Sequence, residues 1–261
     1  RVGVFALQVG IDETLKCNLA IEDADALFGR PMGIPKTGVF GLYDLIGIDL
    51  MADVVVSLGN ILPADDAFHA VGAANPAIAA MIAAGFTGDK GKGGFYCLDG
   101  TKRMARQFAG YEGNDMPPLK PAKTKLPAAA IAAAEASARQ DEPLFMLLDG
   151  HDDQARFCRR VLGRILHYAA SLVPSVTTTP QDIDDAMKLG FNWQRGPFEM
   201  IDAIGQQRFA ALLDECGLTM PAFLEGGAPN YSVQAGSLMV RHADGARQPV
   251  NLPEGVMRFH M

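Results

Sequence analysis

The chain repeats itself. Gly38–Gly47 reads GVFGLYDLIG, and Gly196–Gly205 reads GPFEMIDAIG. Five of the ten aligned positions are identical (Gly, Phe, Asp, Ile and Gly), and Leu42/Met200 and Val39/Pro197 are apolar in both copies. Upstream, Asp23 and Asp25 match Asp182 and Asp184 at a spacing one residue longer, so EDADALF and QDIDDAM are one element followed by a small indel. An ordered set of matches at a shift of 158 residues is better explained by duplication than by chance. That period is far beyond the roughly 20–50 residues of a solenoid repeat, so each copy is a domain. A length of 261 residues accommodates two domains at about 100–200 residues each.

Pro117–Pro127, PPLKPAKTKLP, is rich in Pro and Lys and reads as the linker between the copies. The domains are therefore expected at residues 1–120 and 121–261. The run Ala128–Ala138 has high helix propensity but little bulk to pack. Apolar residues recur at helical spacing over Val2–Cys17, Tyr43–Ile61, Phe145–Leu172 and Phe209–Leu213. In the second copy Thr179 stands as an N-cap, with Pro180 at the first helical position and Asp182 in the first turn. Gly196–Pro197 opens a further helix in the same way. Strand signals are confined to the tail, where Leu238–Val240 and Gln248–Val250 flank the turn pair Asp244–Gly245. The expected fold class is mainly α: two tandem, duplicated helical bundles, a small β-hairpin near the C-terminus, and no Rossmann domain.

The net charge of −7 is a poor basis for binding nucleic acid or an anionic membrane. No apolar run approaches the roughly 18–20 residues of a transmembrane helix. Cys17, Cys97, Cys158 and Cys216 lie far apart without a CxxC pair, which argues against a zinc site and a disulfide scaffold. A reducing cytoplasm fits this usage. The first residues show no signal-peptide pattern. RVGVFALQVGIDETLKC reads instead as the middle of a buried helix, so the chain is expected to be part of something longer.

Gly88–Tyr96, GDKGKGGFY, is the Gly-rich segment. It lacks the third glycine of a dinucleotide fingerprint, follows no strand signal, and fails the P-loop pattern. The simpler reading is a tight turn whose glycines supply positive φ. His69, His151, His167, His242 and His260 show no metal-ligand spacing, and no GxSxG elbow occurs. His151 precedes Asp152 and Asp153 at what reads as a helix start. Asp44 and Asp202 hold equivalent repeat positions. As a pair they offer acid–base chemistry, but a helix cap or turn former is the stronger reading. The loop Gly33–Phe40, GIPKTGVF, differs in kind. Pro35 supplies rigidity, Lys36 a charge, Thr37 a hydroxyl and Gly38 close approach, which suits a ligand with an anionic head and a thin chain. The residues alone leave that reading and a solvated loop lysine both open.

These motifs resemble the C-terminal helical domain of the L-3-hydroxyacyl-CoA dehydrogenase family. That pattern runs from an EDID-x-AM helix through G-P-F-E-L-x-D-x-x-G to G-x-K-x-G-x-GFY. Here the second copy has Asp182–Met187 and Gly196–Gly205, and the first has Glu22–Asp25, Gly38–Gly47 and Gly91–Tyr96. The first copy departs at Val39 and Gly41, where Pro and Glu are usual, and the second lacks the GFY motif. Tandem copies, and the PKTG loop, resemble the multifunctional β-oxidation proteins, and the ending NLPEGVMRFHM resembles a linker towards a further domain. The resemblance implies oxidation of 3-hydroxyacyl-CoA to 3-ketoacyl-CoA by NAD, bound with a catalytic His–Glu pair in a preceding domain. It implies a supporting Asn just before Arg1 and an enoyl-CoA hydratase domain elsewhere. The chain itself is then expected to hold no catalytic, metal or NAD-binding residue and to be inactive alone. Pro35, Lys36, Thr37, Gly38 and Phe40 are its expected acyl-CoA contacts. The two copies are expected to form an intramolecular pseudo-dimer burying both PF-x-x-x-D faces, with the second copy a degenerate partner. The rival reading is a stand-alone helical module that binds acyl-CoA or a protein without catalysis.

Overall fold

The computed structural model describes residues 1–122, 126–138 and 144–252. The chain falls into two compact units, one of residues 1 and 3–161, the other of residue 2 and 162–261. The expected limits, 1–120 and 121–261, follow from the sequence repeat alone. Compactness instead groups Ala128–Ala138, Leu144–Leu148 and the stretch up to Val161 with the first copy.

The first unit opens with α1 (Val2–Lys16), followed by α2 (Ile21–Leu27), α3 (Phe40–Ile46), α4 (Ile48–Ile61) and α5 (Pro76–Ala83). The sequence reads Tyr43–Ile61 as one helix. The structure breaks it at Gly47, whose φ of 114° no other residue adopts comfortably. A three-stranded antiparallel sheet follows: β1 (Tyr96–Asp99), β2 (Lys102–Arg106) and β3 (Leu119–Pro121), in that spatial order. Tyr96 stands opposite Ala105, and Met104 opposite Pro121. Strands are thus not confined to the tail, and Leu119–Pro121, read as linker, is an edge strand.

Two helices then complete the unit, α6 (Ala128–Ala138) and α7 (Leu144–Leu148), together with the start of α8 (Asp153–Ser171). The Ala-rich helix does find packing. Ala130, Ala133 and Ala136 are buried along one face, and α6 lies on the short 3-10 turn Arg30–Met32. Small side chains let the two backbones approach. Asp152 accepts the Ala155 N–H at 2.7 Å, so the His151–Asp153 segment does start a helix. Glu13 of α1 is wholly buried, and its carboxylate accepts from Arg160 Nε (2.5 Å) and Nη2 (3.1 Å) of α8.

The second unit continues from α8 through α9 (Pro180–Phe191), α10 (Pro197–Ile204) and α11 (Gln206–Cys216) to a second sheet. That sheet is β4 (Tyr231–Gln234), β5 (Ser237–Arg241) and β6 (Arg247–Pro249), again antiparallel and in chain order. Its core gathers Leu162, Ile165 and Leu166 of α8 with Met187, Phe198, Ile201, Phe209 and Leu213. Thr179 caps α9 by accepting the Gln181 N–H, with Pro180 first in the helix. The expected hairpin is β5–β6, turned at Asp244–Gly245, where Asp244 accepts the Ala246 N–H at 2.9 Å. Among the described residues no helix is long and apolar enough to cross a membrane.

Candidate functional site

Two aspartates and one tyrosine organise the first copy. Asp25, on α2, reaches the start of α3, where its Oδ1 accepts the N–H groups of Val39 and Phe40 (both 2.7 Å) and its Oδ2 that of Gly41 (2.9 Å). These are donors that a helix start leaves unmet, so Asp25 caps α3 from another helix. Oδ2 also accepts the Tyr96 hydroxyl at 2.8 Å. Asp44, inside α3, accepts the backbone N–H groups of Phe95 and Tyr96, both at 2.8 Å. One tyrosine therefore binds both carboxylates, its N–H to Asp44 and its hydroxyl to Asp25. This ties α2, α3 and β1 together.

The second copy repeats the arrangement. Asp184 accepts the N–H groups of Phe198 (2.8 Å) and Glu199 (3.1 Å) and the Tyr231 hydroxyl (2.8 Å). Asp202 accepts the N–H groups of Asn230 (2.9 Å) and Tyr231 (2.8 Å), and the Asn230 amide as well. Pro197 stands where Val39 stands and has no N–H to give, so Asp184 caps with one bond fewer. The GFY motif absent from the second copy by sequence is thus present as a structure, with Asn230–Tyr231 in the place of Phe95–Tyr96. The repeat's first glycine has a steric reason. A Cβ on Gly38 would lie 2.5 Å from the Asp25 carboxyl carbon, and one on Gly196 would lie 2.3 Å from that of Asp184.

Asp44 and Asp202 are accordingly structural, as the sequence favours, but not as caps or turns. They lie within helices and hold the strands. Burial pushes Asp25 up to about 6 against the pull of its four donors. Burial likewise raises Asp44 to about 6. Burial, helped by the charge of Glu199, pushes Asp184 up to about 8. Asp202 is raised by burial too. Both tyrosine hydroxyls are driven well above the ordinary range, first by burial and then by the adjacent aspartate, so they serve as donors and not as bases.

A cleft of about 690 Å³ lies over this network. It brings together Lys36 and Thr37 of the loop before α3, Gly41 and Leu45 of α3, Lys92 and Gly93 of the Gly-rich turn, and Tyr96, Leu98 and Arg103 of the sheet. Of the five expected contact residues, Lys36 and Thr37 line this cleft. Pro35 and Gly38 stand beside them in the loop. Phe40 is buried in the core, its ring centroid 4.9 Å from that of Phe95. Arg103 was invisible as a site residue in the sequence, because only the β1–β2 pairing carries it back to Tyr96, where its guanidinium sits 3.8 Å over the ring. Lys90 and Lys92 have structural duties. Lys90 donates to the Ile46 carbonyl at the end of α3 (2.7 Å) and Lys92 to the Ala84 carbonyl at the end of α5 (3.1 Å).

The Gly-rich segment is the expected turn, with Gly88 and Gly93 at positive φ and bridged to each other. The N–H groups of Phe95 and Tyr96 at its end bind Asp44, and helix α5 precedes the turn. Among the described residues no three His, Cys, Asp or Glu side chains gather to hold a metal.

Fold and clamp define a class: a helical unit present twice, each copy closed by a small sheet that two aspartates secure. The family profile described as "3-hydroxyacyl-CoA dehydrogenase, C-terminal domain" matches residues 1–97 and 157–251. The chain belongs to that family. It is 32% identical over 202 residues to a putative fatty acid oxidation complex trifunctional enzyme of Rickettsia prowazekii, covering 77% of this chain and 26% of that protein. A protein of the same description in Rickettsia felis is 32% identical, covering 84% and 28%. A probable 3-hydroxyacyl-CoA dehydrogenase of Bacillus subtilis is 29% identical, covering 86% and 27%. The chain thus spans about a quarter of the length of these relatives. No solved structure matches it.

Proposed function

We propose that the chain is the C-terminal helical part of an NAD-dependent L-3-hydroxyacyl-CoA dehydrogenase of fatty-acid β-oxidation. In the intact protein it provides one wall of the acyl-CoA cleft while 3-hydroxyacyl-CoA is oxidised to 3-ketoacyl-CoA. The observation that carries this reading is the family match over both repeats, joined to a cleft in the first repeat with Lys36 at its rim. NAD and the reacting His–Glu pair belong, in this reading, to a preceding domain, and no step of the chemistry falls to a residue of this chain. Lys36 and Thr37 meet the ligand. Pro35 and Gly38 shape their loop, and Phe40 supports it from the core. An enoyl-CoA hydratase domain elsewhere in the protein, pairing of the two repeats within one chain, and a cytoplasmic location complete the proposal.

The test is spectrophotometric. The intact protein should reduce NAD with a 3-hydroxyacyl-CoA, while residues 1–261 alone show no reduction and no NAD binding by calorimetry. Turnover by residues 1–261 alone, or an inactive intact protein, would refute the reading.

A further inference from the structure

We propose that the cleft of the first repeat is a phosphate-recognising site for the nucleotide end of coenzyme A, with Lys36 and Arg103 as its anion-binding pair. This rests on the dehydrogenase reading above, but the cleft's own chemistry argues for it. Lys36 is exposed, and its ammonium meets no hydrogen-bond or ion-pair partner among the described residues. Arg103, from β2, has no carboxylate partner there either, and its guanidinium lies 3.8 Å over the Tyr96 ring. Stacking fixes the guanidinium plane and leaves its N–H edge open to an anion, the geometry in which arginine takes phosphate. Tyr96 is itself fixed at both ends, by Asp44 at its N–H and Asp25 at its hydroxyl. The Arg103 platform therefore rests on a residue held at both ends, which makes it a preformed site.

The lining carries three cations, Lys36, Lys92 and Arg103, against two carboxylates, Asp44 and Asp89. Both Asp44 oxygens are occupied by backbone N–H groups. Asp89 sits on the Gly-rich turn with Lys92, which also lines the cleft and spends one donor on the Ala84 carbonyl. Leu45 and Leu98, 57% and 76% exposed, flank the same cleft. Apolar rims beside unpaired cations suit a ligand that joins phosphate to a flat or aliphatic body, which inorganic phosphate lacks. The second copy has Gln194 and Arg195 at the corresponding loop positions, and Leu238 follows the turn where Arg103 follows it in the first. The pair belongs to the first copy alone.

Titration calorimetry of the 261-residue chain with coenzyme A, adenosine 3′,5′-bisphosphate, pantetheine and inorganic phosphate tests this. Coenzyme A and the bisphosphate should bind with similar affinity, weakening with salt, and pantetheine at least tenfold more weakly. K36E and R103E should each weaken both nucleotides at least tenfold, R103Q should follow R103E, and K90A should leave them unchanged. Circular dichroism checks that each variant is folded. Nucleotide binding indifferent to K36E and R103Q, pantetheine binding as tightly as coenzyme A, phosphate alone binding as tightly as the nucleotides, or no binding at all would overturn the assignment. Each of these leaves the dehydrogenase reading to the intact protein's own NAD assay. Conversely, coenzyme A binding lost with K36E in a protein devoid of dehydrogenase activity would keep the site and remove that reading.

Discussion

Asp25 shows how much of a small domain can depend on one carboxylate. It satisfies three backbone donors at a helix start and one phenol, two of these bonds buried and two partly buried. Removing an acceptor leaves each donor unmet, at about 1–3 kcal/mol apiece in a buried site. Asp25→Ala should therefore destabilise the first copy by several kcal/mol. Asp184→Ala should cost less, by the one bond that Pro197 cannot make. Tyr96→Phe, which removes a single donor to a charged group, should cost about 1.5–3 kcal/mol. Urea unfolding of the three variants ranks them, and equal losses for Asp25→Ala and Tyr96→Phe would show that the N–H groups find other partners. The sequence makes these aspartates visible through the repeat. It hides their role, because Tyr96 lies 71 residues from Asp25 and 52 from Asp44, and nothing local announces such partners.

At the scale of elements, helices were legible where their apolar period is 3.6 and their starts are chemically marked, as at Thr179–Pro180 and Gly196–Pro197. The first sheet was not. Its β2 strand, KRMAR, is mostly charged and lacks the apolar alternation that marks a strand. It exists because β1 is pinned to α3 by Asp44 and offers it an edge to pair with. The second sheet was half legible, since Asp244–Gly245 marks one of its turns while β4 carries no comparable signal. The lysines of the Gly-rich turn were ambiguous for a related reason: a lysine that ends a helix and one that meets a phosphate look alike in a string of residues. Lys90 closes α3 at the Ile46 carbonyl. Lys90→Ala should thus lower stability by about 0.5–1.5 kcal/mol, the worth of one such bond, whereas Lys36→Ala should leave the thermal midpoint in place. A Lys36→Ala loss as large as that of Lys90→Ala would assign Lys36 a structural contact instead.

For the whole chain, duplication and compactness draw different lines, and the reason is physical. The repeat puts the expected limit at residue 120, but the first compact unit is not closed there. Pro31 and Met32 are buried, and α6 covers their turn. Glu13 is wholly buried, and the Arg160 guanidinium that neutralises it comes from α8. A fragment ending at residue 120 keeps the carboxylate and discards the cation, and breaking a buried pair this way costs about 3–5 kcal/mol. That loss is a large part of the roughly 5–15 kcal/mol that holds a domain folded. A chain of residues 1–161 should accordingly unfold cooperatively and bury its tryptophan-free core against urea, while residues 1–120 should be molten or unfolded under the same conditions. Glu13→Gln should narrow the difference, because it removes the charge whose Arg160 partner the shorter fragment lacks. Two fragments of equal stability would mean that the linker reading of Pro117–Pro127 marks the true end of the folding unit.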